Sequence, residues 1–194
     1  MIEKKYLEEK YIRNKKSTRE IAIELKCSEH KVNYWLGKHN ILKRNISEAI
    51  YLYHNPNGDP FVFYEPKNQE ESFLFGLGLG LYWGEGTKAD KMSVRLGNTD
   101  PNLIKKFIEF LVVIFGIDRL DLRFGLQLFS DMNVEEAMDF WMKSLRISKA
   151  QFYKVVVTPS HKIGTYRKKT LYGVLTVYYH NKKLRDLLIS KLPL

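Results

Sequence analysis

Residues 76–86 read Gly76-Leu77-Gly78-Leu79-Gly80-Leu81-Tyr82-Trp83-Gly84-Glu85-Gly86, an apolar, glycine-spaced segment that ends in a single carboxylate. Glycine weakens a helix, so this many glycines in one segment need a structural reason. Gly76, Gly80 and Gly84 recur about once per turn, so a helix over about 71–84 places them in one bare stripe. Such a stripe predicts close packing against a second helix. If that helix belongs to an identical chain across a two-fold axis, both copies of Glu85 lie side by side.

This segment resembles the LAGLIDADG motif of homing endonucleases and of the regulators derived from them. Aligned on its last two positions, it keeps these residues of the motif: Gly80, Leu81, Glu85 and Gly86. Gly84 stands where a small residue is usual. Trp83 replaces the first acidic residue of the motif, which is not the metal ligand in that family. The resemblance extends over roughly residues 71–192.

The resemblance implies a homodimer, because the chain has one copy of the motif and the family's site needs two. The interface residues that it implies are Gly76, Gly80, Leu81 and Gly84. It also implies that Glu85 of each chain binds Mg²⁺, the cofactor of a catalytic member. Lys182 matches a basic residue that the family places near the scissile phosphate, with Lys183 as its neighbour and substitute. A further polar position matches Thr99 or Asp100.

The family core is a helix, two strands, a helix, two strands and a helix, and the pattern after Gly86 predicts a similar order. Hydrophobic periodicity predicts strands at 92–97, 120–129, 153–158 and 171–180, and helices at 102–115, 134–145 and 182–192. Asp100 is expected to cap the first of these helices. The helix at 134–145 and the strand after it are an insertion relative to the family core.

The first 45 residues have the pattern of a DNA-binding helix-turn-helix. Ser17 and Glu20 form a capping box, which predicts a helix that begins at Ser17. Ser28 can cap a second helix over about 29–39, which has its own apolar face. An earlier helix over about 3–14 completes a three-helix unit of the kind that enters a major groove. A small helical bundle that binds protein is the alternative.

In this interpretation the helix at 29–39 reads the DNA. The residues that we expect to contact DNA from this helix are Ser28, His30, Lys31, Asn33, Tyr34 and Lys38. Lys31 and Asn33 are the best candidates for base edges, while Lys26, Lys38 and Arg44 suit phosphates. The resemblance adds the polar, basic face of a curved sheet that straddles DNA. The candidates on that face are Arg95, Arg123, Gln127, Lys154, Arg167, Lys168, Lys169 and Thr176.

The formal net charge of +10 is unevenly distributed along the 194 residues. Residues 1–46 carry 12 basic and 6 acidic residues, and residues 149–194 carry 10 basic residues against Asp186 alone. A polyanion such as nucleic acid would neutralise this surplus. A solvated basic surface is the alternative.

Composition also excludes several classes of protein. The single cysteine, Cys27, excludes an intramolecular disulfide framework and a zinc site built mainly on cysteines. The longest apolar runs are too short to span a bilayer, and no apolar leader follows the charged start. We therefore expect a cytoplasmic, nucleoid-associated protein with no membrane partner.

The expected fold class is α+β, with a helix-turn-helix domain at 1–45, a linker at 46–70 and a LAGLIDADG-like αββαββα domain with an inserted helix at 71–194. One function open to it is a homodimeric, magnesium-dependent endonuclease that cuts a roughly palindromic site in double-stranded DNA. The alternative is a transcription regulator of the same fold that binds DNA without cutting. A third possibility is RNA binding by the basic sheet, suggested by Tyr153, Tyr166, Tyr172, Tyr178 and Tyr179.

Overall fold

The computed structural model describes residues 1–160 and 170–193. Within those ranges the chain is α+β, with eight α-helices and one four-stranded mixed sheet. It divides into two compact units, Met1–Pro60 and Phe61–Leu194, each with its own hydrophobic core. None of the helices in the described ranges has the length and apolar character needed to cross a bilayer.

The first unit is helical. Its elements are α1 (Lys4–Leu7), which continues as a π-helical stretch over Glu8–Arg13, then α2 (Thr18–Glu24), α3 (Glu29–Lys38) and α4 (Ile46–His54). Four fully buried side chains from the first three helices form the centre of its core: Leu7, Ile21, Val32 and Leu36. Helix α4 contributes no buried residue. The helices predicted from about Glu3, Ser17 and Ser28 are confirmed.

Side-chain caps explain where α2 and α3 begin. The backbone N–H of Glu20 donates to Oγ of Ser17 at 3.1 Å, and the Glu20 carboxylate accepts from the N–H of Ser17 at 2.7 Å. Ser28 Oγ accepts from the N–H of Lys31 at 3.3 Å. Each cap satisfies a donor that the first helical turn leaves unpaired. The turn between the two helices uses a left-handed residue, Lys26, with φ of 49°.

The second unit contains the sheet. Its elements are α5 (Gln69–Glu85), β1 (Val94–Asn98), α6 (Pro101–Phe115), β2 (Arg123–Phe129), α7 (Val134–Leu145), β3 (Val156–Thr158), β4 (Val174–Tyr179) and α8 (Lys182–Ser190). Short 3₁₀ turns lie at Arg119–Asp121 and Lys149–Gln151. Asp100 caps α6 as predicted, because its Oδ1 accepts from the N–H of Asn102 at 2.8 Å. Helix α7 has the predicted bounds.

The sheet has the strand order β1-β4-β2-β3. Strand β4 lies in the middle and is antiparallel to both β1 and β2, whereas β3 is parallel to β2 at the edge. Side chains alternate between the two faces. One face is buried in the core of the unit by Val94, Leu96, Phe124, Leu126, Leu128, Leu175, Val177 and Tyr179. We call the other face the open face, because the described residues leave its side chains exposed or half-exposed.

The order of elements differs from the family core at one point. Only β1 lies between α5 and α6, where the resemblance implies two strands. The missing strand is reduced to a single antiparallel bridge from Gly86 to Leu96, supported by the N–H of Thr87 donating to the carbonyl of Arg95 at 2.9 Å. The predicted insertion corresponds to α7 and β3, which lie between β2 and β4 in the chain.

Helix α5 packs into the second unit through Leu74, Gly78 and Tyr82, which are its buried residues. A Cβ at Gly78 would overlap the ring of Phe110 on α6, so only glycine lets the two helices approach this closely. Tyr82 of α5 stacks on Phe107 of α6, with ring centroids 6.1 Å apart. Gly78 is therefore explained by packing inside the protomer, and Gly76, Gly80 and Gly84 are not.

We expect Gly78→Ala to lower the free energy of unfolding by about 1–3 kcal/mol, because the added methyl group overpacks the contact with Phe110. Gly76→Ala is the matched control on the same helix. Nothing lies within 4 Å of a Cβ at Gly76, so this change should be neutral or gain up to about 1 kcal/mol. Urea unfolding followed by circular dichroism, with the chain dilute enough to be monomeric, measures both. An equal loss in the two variants would contradict this packing.

Candidate nucleic-acid interface

The outer surface of α3 carries most of the side chains expected to contact DNA. His30, Lys31, Tyr34 and Lys38 are exposed, and Asn33 is half-buried. The ammonium of Lys38 lies 5.7 Å from the centre of the Tyr34 ring, which holds these two side chains together. Ser28 has a structural role as the helix cap, although its side chain remains exposed.

Arg44 has a different position from the one expected of a phosphate contact. Its guanidinium donates to the backbone carbonyls of Tyr11 at 2.9 Å, Lys15 at 2.8 Å and Lys16 at 2.5 Å. It also lies over the Tyr11 ring, 4.0 Å from the centroid. Arg44 thus fixes the segment between α3 and α4 to residues 11–16, and most of its donors are used inside the protein.

The open face of the sheet has a row of three side chains on adjacent strands. In the strand register Arg95 of β1 is opposite Tyr178 of β4, and Tyr178 is opposite Arg123 of β2. The Arg95 guanidinium lies 5.1 Å from the centre of the Tyr178 ring. Two glycines make room beside this row: the Tyr178 ring covers Gly125, and Thr176 leans over Gly97. The middle of the open face is therefore an aromatic ring with an arginine on each side.

Three aromatic side chains pack together at this place, and we call Tyr153, Tyr178 and His180 the aromatic cluster. The Tyr153 ring meets the Tyr178 ring edge-on, with centroids 5.5 Å apart, and the His180 ring is stacked on Tyr178 at 6.0 Å. The Tyr153 hydroxyl is hydrogen-bonded to Nε2 of His180 at 2.6 Å. Tyr153 reaches the cluster because its N–H donates to the carbonyl of Phe124 in β2 at 2.8 Å.

Both arginines of the row are held by other protein groups. Arg95 forms an ion pair with Asp90, and its Nε donates to Oγ of Ser93 at 2.8 Å. Arg123 donates to the backbone carbonyls of Leu120 at 2.6 Å and Leu122 at 3.0 Å. These contacts fix both side chains before any ligand arrives, which lowers the entropy cost of binding an anion.

The same surroundings shift two pKa values. The pKa of Asp90 is held below its ordinary value, chiefly because the carboxylate accepts from the N–H of Met92, and Arg95 adds to the effect. The pKa of His180 is also below its ordinary value. Its burial is the main cause, and the positive charges of Arg95 and Arg123 add to it. These effects favour the neutral form of His180.

The other residues predicted for the sheet are less closely grouped. Gln127 lies exposed on β2 and Thr176 lies half-buried on β4, both on the open face, whereas Lys154 is exposed just before β3. Arg167, Lys168 and Lys169 lie outside the described residues, as does Tyr166. Two tyrosines named for RNA binding are not on the open face: Tyr179 is buried, and Tyr172 is stacked on Phe140 at 3.9 Å.

The face of α5 that turns away from the core is apolar and exposed. Phe73 is 70% exposed and Trp83 is 49% exposed. The predicted glycine stripe lies between them, and nothing lies within 4 Å of a Cβ at any of its members, which are Gly76, Gly80 and Gly84. Leu81 differs from the other expected interface residues, because it is half-buried and packs against the core of the second unit.

The two residues expected to be catalytic have different surroundings. Glu85 is the last residue of α5, and its side chain is exposed. Lys182 begins α8, and its Nζ forms an ion pair with Asp186 one turn further along that helix. Gly86, next to Glu85, bridges to the middle of β1, whereas Lys182 follows the end of β4 that pairs with the start of β1.

The aromatic cluster was only partly visible in the sequence. The sequence predicts a binding role for Tyr178 only in the RNA alternative, and it predicts none for His180. Strand alternation alone puts Thr176, Tyr178 and His180 on one face, so that signal was present. Tyr153 joins them through a pairing with β2 that is distant in sequence and has no local signal.

Comparisons with protein-family models, with curated proteins and with solved structures found no match to this chain. The family resemblance therefore rests on the residues of α5 and on the order of the elements that follow it.

Proposed function

We propose that this protein binds double-stranded DNA sequence-specifically as a homodimer, with a helix-turn-helix unit at its N-terminus and a LAGLIDADG-like unit after it. The observation that carries the proposal is the row of Arg95, Tyr178 and Arg123 on the open face. Two cations fixed on the strands that flank β4, on the open face of the sheet, suit contacts with a phosphate backbone. The exposed Lys31 and Lys38 of α3 add a second basic surface.

The exposed face of α5 supports the homodimer. A helix with a buried apolar face and an exposed apolar face needs a second partner, since water is a poor environment for Phe73 and Trp83. The three open glycines would let an identical helix approach at backbone distance. A two-fold axis through this stripe would give the dimer two copies of the open face.

DNA cleavage is a second candidate function, and the position of Glu85 favours it. The helix dipole disfavours a carboxylate at the C-terminal end of a helix. Glu85 occupies this position, next to Gly84, in spite of that cost, and a functional role would explain it. Mg²⁺ commonly binds one or two carboxylates together with substrate phosphates, and an exposed Glu85 from each protomer would fit that donor set. When bound, such an ion activates water and stabilises the leaving oxygen.

Other features favour a regulator that binds without cutting. The helix-turn-helix unit supplies recognition of a DNA sequence without any cutting. Lys182, the expected basic partner of Glu85, is engaged by Asp186. A dimer with this arrangement would recognise DNA and leave it intact.

Binding is tested by selecting duplexes from a random library and measuring their affinity at several salt concentrations. We expect the logarithm of the association constant to fall linearly with the logarithm of the salt concentration, with a slope of about −0.9 for each phosphate contact. Asn33→Ala should relax the selected sequence at a cost of about 1–3 kcal/mol, whereas Lys38→Ala should weaken all sequences alike. Lys106→Gln, an exposed lysine of α6 paired with Glu109, is the matched control and should change little. A native chain that binds no duplex at low salt would overturn the proposal.

Cleavage is tested on the selected duplexes with Mg²⁺, using the native chain and Glu85→Gln. If the protein is a nuclease, the native chain cuts and Glu85→Gln still binds but loses at least about a hundredfold in rate, because the carboxylate that holds the ion is gone. Glu70→Gln, a substitution of an exposed carboxylate at the opposite end of α5, is the control and should cut normally. Binding without cutting by the native chain assigns the protein to the regulators.

A further inference from the structure

The aromatic cluster has a property that recognition of paired DNA does not use. In a duplex the faces of the bases are stacked on one another, and proteins read the base edges in the grooves through hydrogen-bonding side chains. The centre of the open face instead presents rings. The Tyr153 hydroxyl is already bonded to His180, so the ring is what Tyr153, 43% exposed, offers to a ligand.

The rings are held rigidly enough to act as a stacking surface. Tyr178 is packed against Tyr153 on one side and His180 on another, and it covers the backbone at Gly125. Burial and the nearby arginines lower the pKa of His180, which favours its neutral form. A base that stacks on these rings is removed from water. Because the rings need little rearrangement, the entropy cost of binding the base is small.

The charges beside the cluster complement a nucleic-acid strand. Arg95 and Arg123 are on the strands that flank β4, so their Cα atoms are roughly 10 Å apart across the Tyr178 ring. Arg95 shares its charge with Asp90. Among the described residues Arg123 donates to backbone carbonyls, which leave its positive charge uncompensated. A phosphate on the β2 side of a stacked base would therefore meet the uncompensated charge of Arg123, and one on the β1 side would share Arg95 with Asp90.

We propose that the open face binds an unpaired DNA base, which stacks on the aromatic cluster while Arg95 and Arg123 hold the neighbouring phosphates. The proposal rests on the DNA-binding function proposed above and adds a second form of DNA, single-stranded or locally opened, to the duplex proposed there. Aromatic rings on an exposed sheet with flanking cations are the general solution for holding unpaired bases.

The test uses the full chain and a DNA strand of about 15 nucleotides that contains 2-aminopurine, whose fluorescence is quenched by stacking. The same strand is measured alone, in a fully paired duplex and as RNA. Tyr178→Leu removes the ring, and Tyr178→Phe is the matched control that keeps the ring and removes only the hydroxyl. Arg123→Gln is a second variant that leaves the cluster in place.

We expect the native chain to bind the single strand with a change in 2-aminopurine fluorescence. Tyr178→Leu should weaken this binding about tenfold or more and leave binding of the paired duplex within about twofold, while Tyr178→Phe stays close to native. Arg123→Gln should reduce the salt slope of single-strand binding by about 0.7.

Four results would overturn the inference. They are a native chain that binds the paired duplex but not the single strand, a Tyr178→Phe variant as weak as Tyr178→Leu, RNA bound at least about tenfold more tightly than DNA, and an Arg123→Gln variant with the native salt slope. The first of these leaves the proposed duplex-binding function standing. A native chain that binds no DNA at all overturns both.

Discussion

The structure of the second unit depends on a helix, α5, that is apolar on two sides. Its inner side is fixed by the contact of Gly78 with the Phe110 ring of α6, and Leu74 and Tyr82 of the same side belong to the core shared with the sheet. Its outer side exposes Phe73, Trp83 and three glycines that have no role inside the protomer. The one sequence of α5 thus presents an apolar surface to the core and a second apolar surface to solvent. The outer side is the strongest physical reason to expect a second copy of the chain.

The open face of the sheet is organised by a different principle. Its central row alternates cation, ring and cation across three strands, and each cation is held by groups outside the row. The inner face of the same strands is a continuous apolar layer. Because side chains of a strand alternate, the sequence of β4 had to satisfy both faces at once, with Leu175, Val177 and Tyr179 inside and Thr176 and Tyr178 outside.

Local signals predicted much of this fold, and long-range contacts explain what they missed. Caps at Ser17, Ser28 and Asp100 set helix starts that the sequence shows directly. The strands are shorter than predicted, in part because Asp118 caps a 3₁₀ turn just before β2. Arg44 donates to three backbone carbonyls, and Tyr153 joins the aromatic cluster. Both sets of contacts are made with residues distant in sequence. The role of Gly78 is of the same kind, since its contact with Phe110 of α6 is distant in sequence. Whether Glu85 and Lys182 are catalytic remains a prediction.

The central claim is that two chains meet on the exposed face of α5, and sedimentation velocity of the native chain beside Gly80→Leu tests it most directly. Nothing lies within 4 Å of a Cβ at Gly80, so a leucine there fits the folded protomer and projects only into the proposed interface. We predict that the native chain sediments as a dimer and that Gly80→Leu sediments as a monomer with unchanged circular dichroism. A Gly80→Leu variant that remains dimeric, or a native chain that is monomeric at concentrations where it binds DNA, would contradict the account.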